Sequence, residues 1–169
     1  MKNQTRKLVF AALLAALTCV ATMVIRIPSP LHGYINLGDC FVLVSGWVLG
    51  PVYGLLAAGI GSALADIFAG YFNYALATFV IKGLMAVAAY FVLKALGKIK
   101  SKTVGYIVSG IIAEIIMVLG YFVFEGFMYG FAAVLVNIPP NVVQAVAGIV
   151  VGTAVKAVVD KTGIVGKMR

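Results

Sequence analysis

Between Asp39 and Asp66 the chain carries no charged side chain. Two apolar segments fill that interval, residues 41–49 and 52–65, separated only by the uncharged turn Leu49-Gly50-Pro51. Segments of this kind do not fit an ordinary soluble core. Polar and aromatic residues gather at both outer ends: Tyr34, Asn36 and Asp39 before, Asp66, Tyr71, Asn73 and Tyr74 after. If both segments are membrane helices, the turn faces one side and the two clusters meet on the other. A small molecule can be held there.

Composition extends the same reading to the whole chain. Of 169 residues, 63% are hydrophobic and 11% charged, and the mean hydropathy is +1.12. These values exclude a soluble globular domain and a disordered chain and leave an integral membrane protein. A bilayer core of about 30 Å takes roughly 20 apolar residues per helix, so the length accommodates about six spans. A membrane barrel would alternate polar and apolar residues, which these segments do not, so the expected backbone is helical.

The net charge of +8 raises the question of nucleic acid, but its distribution points to lipid. Lys2, Arg6 and Lys7 precede the first apolar run; Lys94, Lys98, Lys100 and Lys102 share one loop; Lys156, Lys161, Lys167 and Arg169 follow the last run. That is the positive-inside pattern, which places both termini and the central loop in the cytoplasm of a multi-pass cell-membrane protein. No nucleic-acid partner is expected. Cys19 and Cys40 form neither a disulfide framework nor a metal cluster, and the lone His32 lacks partners for a metal site. No metal or other cofactor is expected.

The expected fold is one all-α membrane domain over residues 1–169, with six transmembrane helices at about 8–26, 37–49, 51–70, 75–96, 104–124 and 137–159. The first run follows a basic start, as a signal peptide does, but it is longer than a typical apolar core of one and is read as a retained helix. It carries two overlapping small-residue pairs, Ala11 with Ala15 and Ala12 with Ala16, of the kind that permits close helix–helix approach. Two prolines and a glycine break the pattern from Ile27 to Gly33, so an external loop extends to about Asn36. The second helix is short for a full span. Gly46, Gly50 and Gly54, and then Ala57, Gly61, Ala65 and Ala69, recur every four residues, the stripe of a tightly packed hairpin. Residues 125–136 are either a long external loop or an extension of the fifth helix.

Ionisable groups inside a membrane cost roughly 3 kcal/mol or more each and imply a partner or a polar cavity. Asp39 begins the second helix, Asp66 lies near the outer end of the third, and Lys82 and Glu114 are deep in the fourth and fifth. The spacing places Asp66 and Lys82 within reach of each other, as an ion pair that locks helices or as part of a ligand pocket. Tyr74 and Thr78, with Asn36, Asn137, Asn141 and Gln144, occupy the same external level. Amides and aromatics converging at one depth suit a flat heterocycle, by stacking and directional hydrogen bonds. The tyrosines also fit an interfacial belt. No nucleophile–histidine–carboxylate set and no phosphate-cradling loop occurs, so the chain is read as no enzyme and as dependent on a partner or an ion gradient for energy.

One family shares these residues in this order: an Ala-rich first helix, Tyr34-Ile35-Asn36-Leu37-Gly38-Asp39, Leu49-Gly50-Pro51, Gly59-Ile60-Gly61-Ser62-Ala63-Leu64-Ala65-Asp66, and Ala77-Thr78-Phe79-Val80-Ile81-Lys82-Gly83. The chain resembles a substrate-binding S component of an energy-coupling factor (ECF) vitamin transporter, of the hydroxymethylpyrimidine, pyridoxine or riboflavin type. The resemblance implies capture of a vitamin or precursor at the outer face and association with a transmembrane coupling subunit and two ATPase subunits. It also implies docking on the coupling subunit through Ala11, Ala12, Ala15 and Ala16. A self-sufficient homo-oligomeric carrier or small channel is the alternative from another class, with the glycine stripes as subunit interfaces.

Overall fold

In the computed structural model the apolar runs become five long helices, α1 (Lys2–Val24), α2 (Asp39–Phe68), α3 (Phe72–Ala95), α4 (Lys102–Tyr129) and α6 (Ile138–Lys161). A short α5 (Phe131–Val134) and a 3-10 turn (Leu135–Asn137) join the last two. The structure describes residues 2–31, 33–97, 99 and 101–163. His32, Lys98, Lys100, Lys167 and Arg169, used above, lie outside the described residues. Among the described residues, five helical segments are long and apolar enough to cross a membrane.

The expected second and third helices appear as one assigned helix, but α2 is not straight. At Gly50 the backbone leaves helical geometry, with φ 81° and ψ −172°. Only glycine takes that φ without strain, and Pro51 then opens a new first turn, where its missing N–H is harmless. The chain folds back there. A Cβ built on Gly54 would lie 2.9 Å from the Ser45 carbonyl oxygen and 3.0 Å from the Gly46 Cα, whereas nine residues of unbroken helix would separate these positions by about 13 Å. So α2 is a helical hairpin with limbs 39–49 and 51–68.

The short first limb is the post around which the bundle is built. Val42, Leu43 and Val44 are fully buried. Gly46 meets the backbone of Ala86 on α3, and Gly152 on α6 meets the backbone of Cys40. On the α4 side Trp47 donates from its indole N–H to Ser109 Oγ at 2.9 Å. The helix α1 packs on the second limb instead, where a Cβ on Gly61 would come within 2.4 Å of the Ala15 carbonyl oxygen.

The loop expected to be irregular from Ile27 to Asn36 carries a small β-hairpin, β1 (Arg26–Pro28) antiparallel to β2 (Tyr34–Asn36), with Ile27 opposite Ile35. The open question at residues 125–136 resolves in favour of helix. α4 continues to Tyr129, stops at Gly130 (φ 91°), and α5 follows. Two prolines in the first turn of α6 fit its start.

At the far end of the bundle a second polar group is buried. Lys156, 3% exposed, pairs with Asp160 one turn on. It also donates to Tyr106 Oη at 3.0 Å, and that phenol donates to Asp160 Oδ2 at 2.8 Å.

Candidate functional site

The two limbs of α2 differ in length, and the difference makes room. Eleven residues rise about 16 Å and eighteen about 27 Å, so the first limb stops roughly 10 Å short of the second. Over its tip, Asp39, the β1–β2 hairpin folds down. Between them lies a cavity of about 40 Å³, room for a few waters rather than a heterocycle.

Helical periodicity explains which side chains face it. Tyr74, Thr78 and Lys82 stand four apart on α3, Ser62 and Asp66 four apart on α2, Tyr121 and Glu125 four apart on α4, and Asn141 and Gln144 three apart on α6. All of these line the cavity, together with Thr22, Ser29, Gly33, Tyr34, Asn36 and Tyr71.

Under the cavity runs a chain of hydrogen bonds that crosses four elements. Lys82 on α3 is ion-paired with Asp39, and both are buried. Gln144 on α6 donates to the other Asp39 oxygen at 2.6 Å, and its own carbonyl accepts the backbone N–H of Asn36 at 2.8 Å. The Asn36 side-chain oxygen Oδ1 in turn accepts from Gly38 N–H at 2.8 Å, next to the start of α2.

This geometry corrects one expectation. Lys82 pairs with Asp39, not with Asp66, because the short limb ends at the depth of Lys82 while Asp66 stands higher on the longer one. Asp66 instead accepts from Tyr34 Oη at 2.6 Å. Burial, and then the carboxylate it faces, hold the Tyr34 phenol above its ordinary range.

The remaining expected site residues divide by position. Asn36, Asp66, Tyr74, Thr78, Lys82, Asn141 and Gln144 line the cavity; Asp39, Glu114 and Asn137 do not. Asp39 and Glu114 sit beneath it, brought together across Gly148, where a Cβ would lie 2.8 Å from Glu114 Oε1 and 2.9 Å from Asp39 Cβ. Asn137 fastens the loop. Its carbonyl oxygen accepts from Ser29 Oγ at 2.6 Å and its amide donates to Glu125 Oε2 at 2.8 Å. Asn73, grouped with the tyrosines in the sequence, is exposed.

Ser62, Tyr121 and Glu125 were not among the candidates, and Tyr34 was grouped with the outer cluster but not singled out for the site. The i+4 offsets from Asp66 to Ser62 and from Tyr121 to Glu125 are the sequence signal that would have found three of them. Tyr34 comes from a hairpin whose register helix periodicity cannot give.

A separate apolar groove of about 580 Å³ lies between α1 and the second limb of α2. All four expected docking alanines line it, but on two different faces. Ala11 is buried and Ala15 half-buried against Gly61, whereas Ala12 and Ala16 are exposed. The pair Ala11 and Ala15 holds this chain together; Ala12 and Ala16 are open.

Comparison with known proteins agrees with this architecture. A solved S component of a bacterial ECF transporter has the same fold, with a TM-score of 0.71 and 22% identity over 94% of this chain and 98% of that one. The thiamine precursor transporter HmpT of Lactococcus lactis subsp. cremoris (strain MG1363) is 26% identical over 97% of this chain and 93% of its own length. An uncharacterised protein of Pyrococcus woesei, from the region 3′ of gap, is 36% identical over 84% of this chain and 93% of its own. The family model for the S component of ECF-type riboflavin transporters matches residues 2–161, so the chain belongs to that family of membrane-embedded, substrate-binding transport subunits rather than to a family of enzymes.

Proposed function

We propose that this chain captures a small heterocyclic vitamin or precursor at the outer face of the cell membrane and delivers it to an ATP-driven importer. The observation that carries the reading is the enclosed polar cavity at one end of an otherwise apolar bundle, with buried hydroxyls, amides and carboxylates from α2, α3, α4 and α6 turned into it. Candidate cargoes are hydroxymethylpyrimidine, a pyridoxine-like compound or riboflavin. The first accords with the name of the HmpT relative and the third with the family description, while the second follows from the sequence resemblance alone.

In this reading α1, the two limbs of α2, α3, α4 and α6 form a single domain of six transmembrane helices. The end opposite the cavity carries Arg6, Lys7, Lys94, Lys102 and Lys161, which by the positive-inside rule is cytoplasmic. The start of α1 and the end of α6 lie there. A heterocycle needs more than the present cavity, so the β1–β2 segment moves outward for entry and closes over the cargo. Ala12 and Ala16 face a transmembrane coupling subunit, which works with two ATPase subunits.

The test is purification of the full chain with and without candidate partners, followed by ligand binding and uptake in vesicles. Expected are binding by the chain alone, no ATP hydrolysis by it, and accumulation only with coupling subunit and ATPases present. Uptake by the chain alone, as a homo-oligomer, would replace this reading with that of a self-sufficient carrier.

A further inference from the structure

The cavity contains two polar atoms that have no hydrogen-bond partner among the described residues. Asp66 is 5% exposed; its Oδ1 accepts from Tyr34, while Oδ2 has no hydrogen-bond partner. Ser62, one turn away on the same face and 2% exposed, likewise has an unpartnered hydroxyl. Both line the cavity. Thr78 lies beside Asp66, within reach of its carboxylate, and its hydroxyl shares a 3.0 Å hydrogen bond with Tyr121 Oη in which either group can donate. Buried polar atoms are nearly always satisfied, and leaving one unmade costs stability. Two such atoms side by side in a cavity mark where a ligand supplies the missing partners.

The chemistry of the pair defines the ligand edge. A carboxylate oxygen only accepts; a serine hydroxyl also donates. Their complement is an N–H donor beside an acceptor. The charged groups around the cavity favour the same kind of ligand. Among the described lining residues the cation is Lys82, and Asp39 already neutralises it. Glu125 is engaged by Tyr74 at 3.4 Å and Asn137 at 2.8 Å. Arg26 stands at the rim, its guanidinium carbon 5.8 Å from the Tyr34 ring centre. An anionic ligand such as a phosphate ester would meet Asp66 with no uncommitted cation beside it.

Resting on the capture reading above, we propose that Asp66 and Ser62 dock the amino edge of a basic aminoheterocycle of the aminopyrimidine class. The exocyclic N–H is given to Asp66 Oδ2, and the neighbouring ring nitrogen accepts from Ser62 Oγ. A ligand edge that offers only acceptors there, with no N–H, puts a lone pair against the Asp66 carboxylate and is disfavoured.

The test uses the full chain in lipid nanodiscs and three probes: hydroxymethyl-aminopyrimidine, its oxo analogue with a carbonyl in place of the amino group and the adjacent ring nitrogen methylated so that no N–H remains on that edge, and riboflavin. Affinities are measured by calorimetry, with melting curves as a check on folding. The wild type is expected to prefer the amino compound over the oxo analogue by about 30-fold or more, since a site built around a donor rejects its mismatch. Asp66→Asn, whose amide can itself donate, should reduce that preference to about threefold or less. Ser62→Ala should weaken the amino compound with the preference largely kept. Riboflavin binding without aminopyrimidine binding overturns the docking assignment and leaves the capture reading intact. If none of these probes binds, nor a pyridoxine-like compound, the capture reading falls and the assignment with it. Should Asp66→Asn fail to fold, the wild-type comparison decides: equal affinity for amino and oxo compounds overturns the proposal.

Discussion

Lys82 and Asn141 both face the cavity, yet substituting them should have opposite signatures. Lys82 is 3% exposed and its partner Asp39 fully buried. Removing one member of such a pair strands the other charge, at a cost of about 3–5 kcal/mol. Lys82→Met is therefore expected to lower the melting temperature of the ligand-free protein by several degrees. Asn141 also lines the cavity, but holds no element in place through a bond to the described residues. Asn141→Ala should leave the ligand-free melt unchanged and diminish the extra stabilisation that vitamin confers, each lost hydrogen bond being worth about 1 kcal/mol net. Tyr34→Phe lies between the two. It removes the 2.6 Å hydrogen bond that Tyr34 gives to the Asp66 carboxylate, so both the melt and the binding should fall. The Tyr34 proton is held more firmly in the folded state than at the ordinary phenol value of 10.0. Its contribution is therefore fully present below that pH and fades only above it. A flat melting temperature between neutrality and pH 9 for this contact, with a decline beyond, is the expected profile when wild type is compared with Tyr34→Phe.

Among the elements, α1 and the α2 hairpin make the sharpest predictions. Ala15 touches Gly61 backbone to backbone, so Ala15→Leu should force the two helices apart and destabilise the isolated chain by about 1–3 kcal/mol. Ala16→Leu points outward and should leave the melt and ligand binding as they are. On the docking role proposed for this face, its effect is expected in assembly with a coupling subunit, read by co-purification and by uptake. Gly50→Val would place a β-branched residue at φ 81°, a strain of about 1–2 kcal/mol, and should reduce folded yield. Both alanine pairs were legible in the sequence, but not which of them the chain itself would use, because that depends on how α1 is rotated against α2. Likewise the apolar runs and the Gly50-Pro51 turn were readable from hydropathy and backbone sterics alone. The partner of Lys82 was not. It depends on the first limb being shorter than the second, a difference of depth that charge spacing along the chain does not reveal. Asn137 was placed at the right level, yet its amide is spent on Ser29 and Glu125, since a loop descending among helices needs its own polar anchors.

On the scale of the whole molecule, the bundle has polar groups at both ends and an apolar surface between. One end holds the cavity; the other holds Lys156, Tyr106 and Asp160 in mutual contact. Lys156→Met should therefore lower stability without altering ligand affinity, the reverse of Asn141→Ala, and a melt with and without vitamin separates the two. The lipid-facing sides of α1, α3, α4 and α6 take no part in either cluster, and the central limb meets lipid least of all. That last arrangement has a consequence for how such a protein changes its cargo. The limb 39–49 acts as the piston head of a cylinder whose wall is the surrounding helices. Adding one helical turn at its tip would raise the floor by about 5.4 Å, and deleting one would lower it by as much, while the outer wall and the groove along α1 kept their dimensions. Cargo size can thus drift with the length of a single internal stub, independently of the groove along α1.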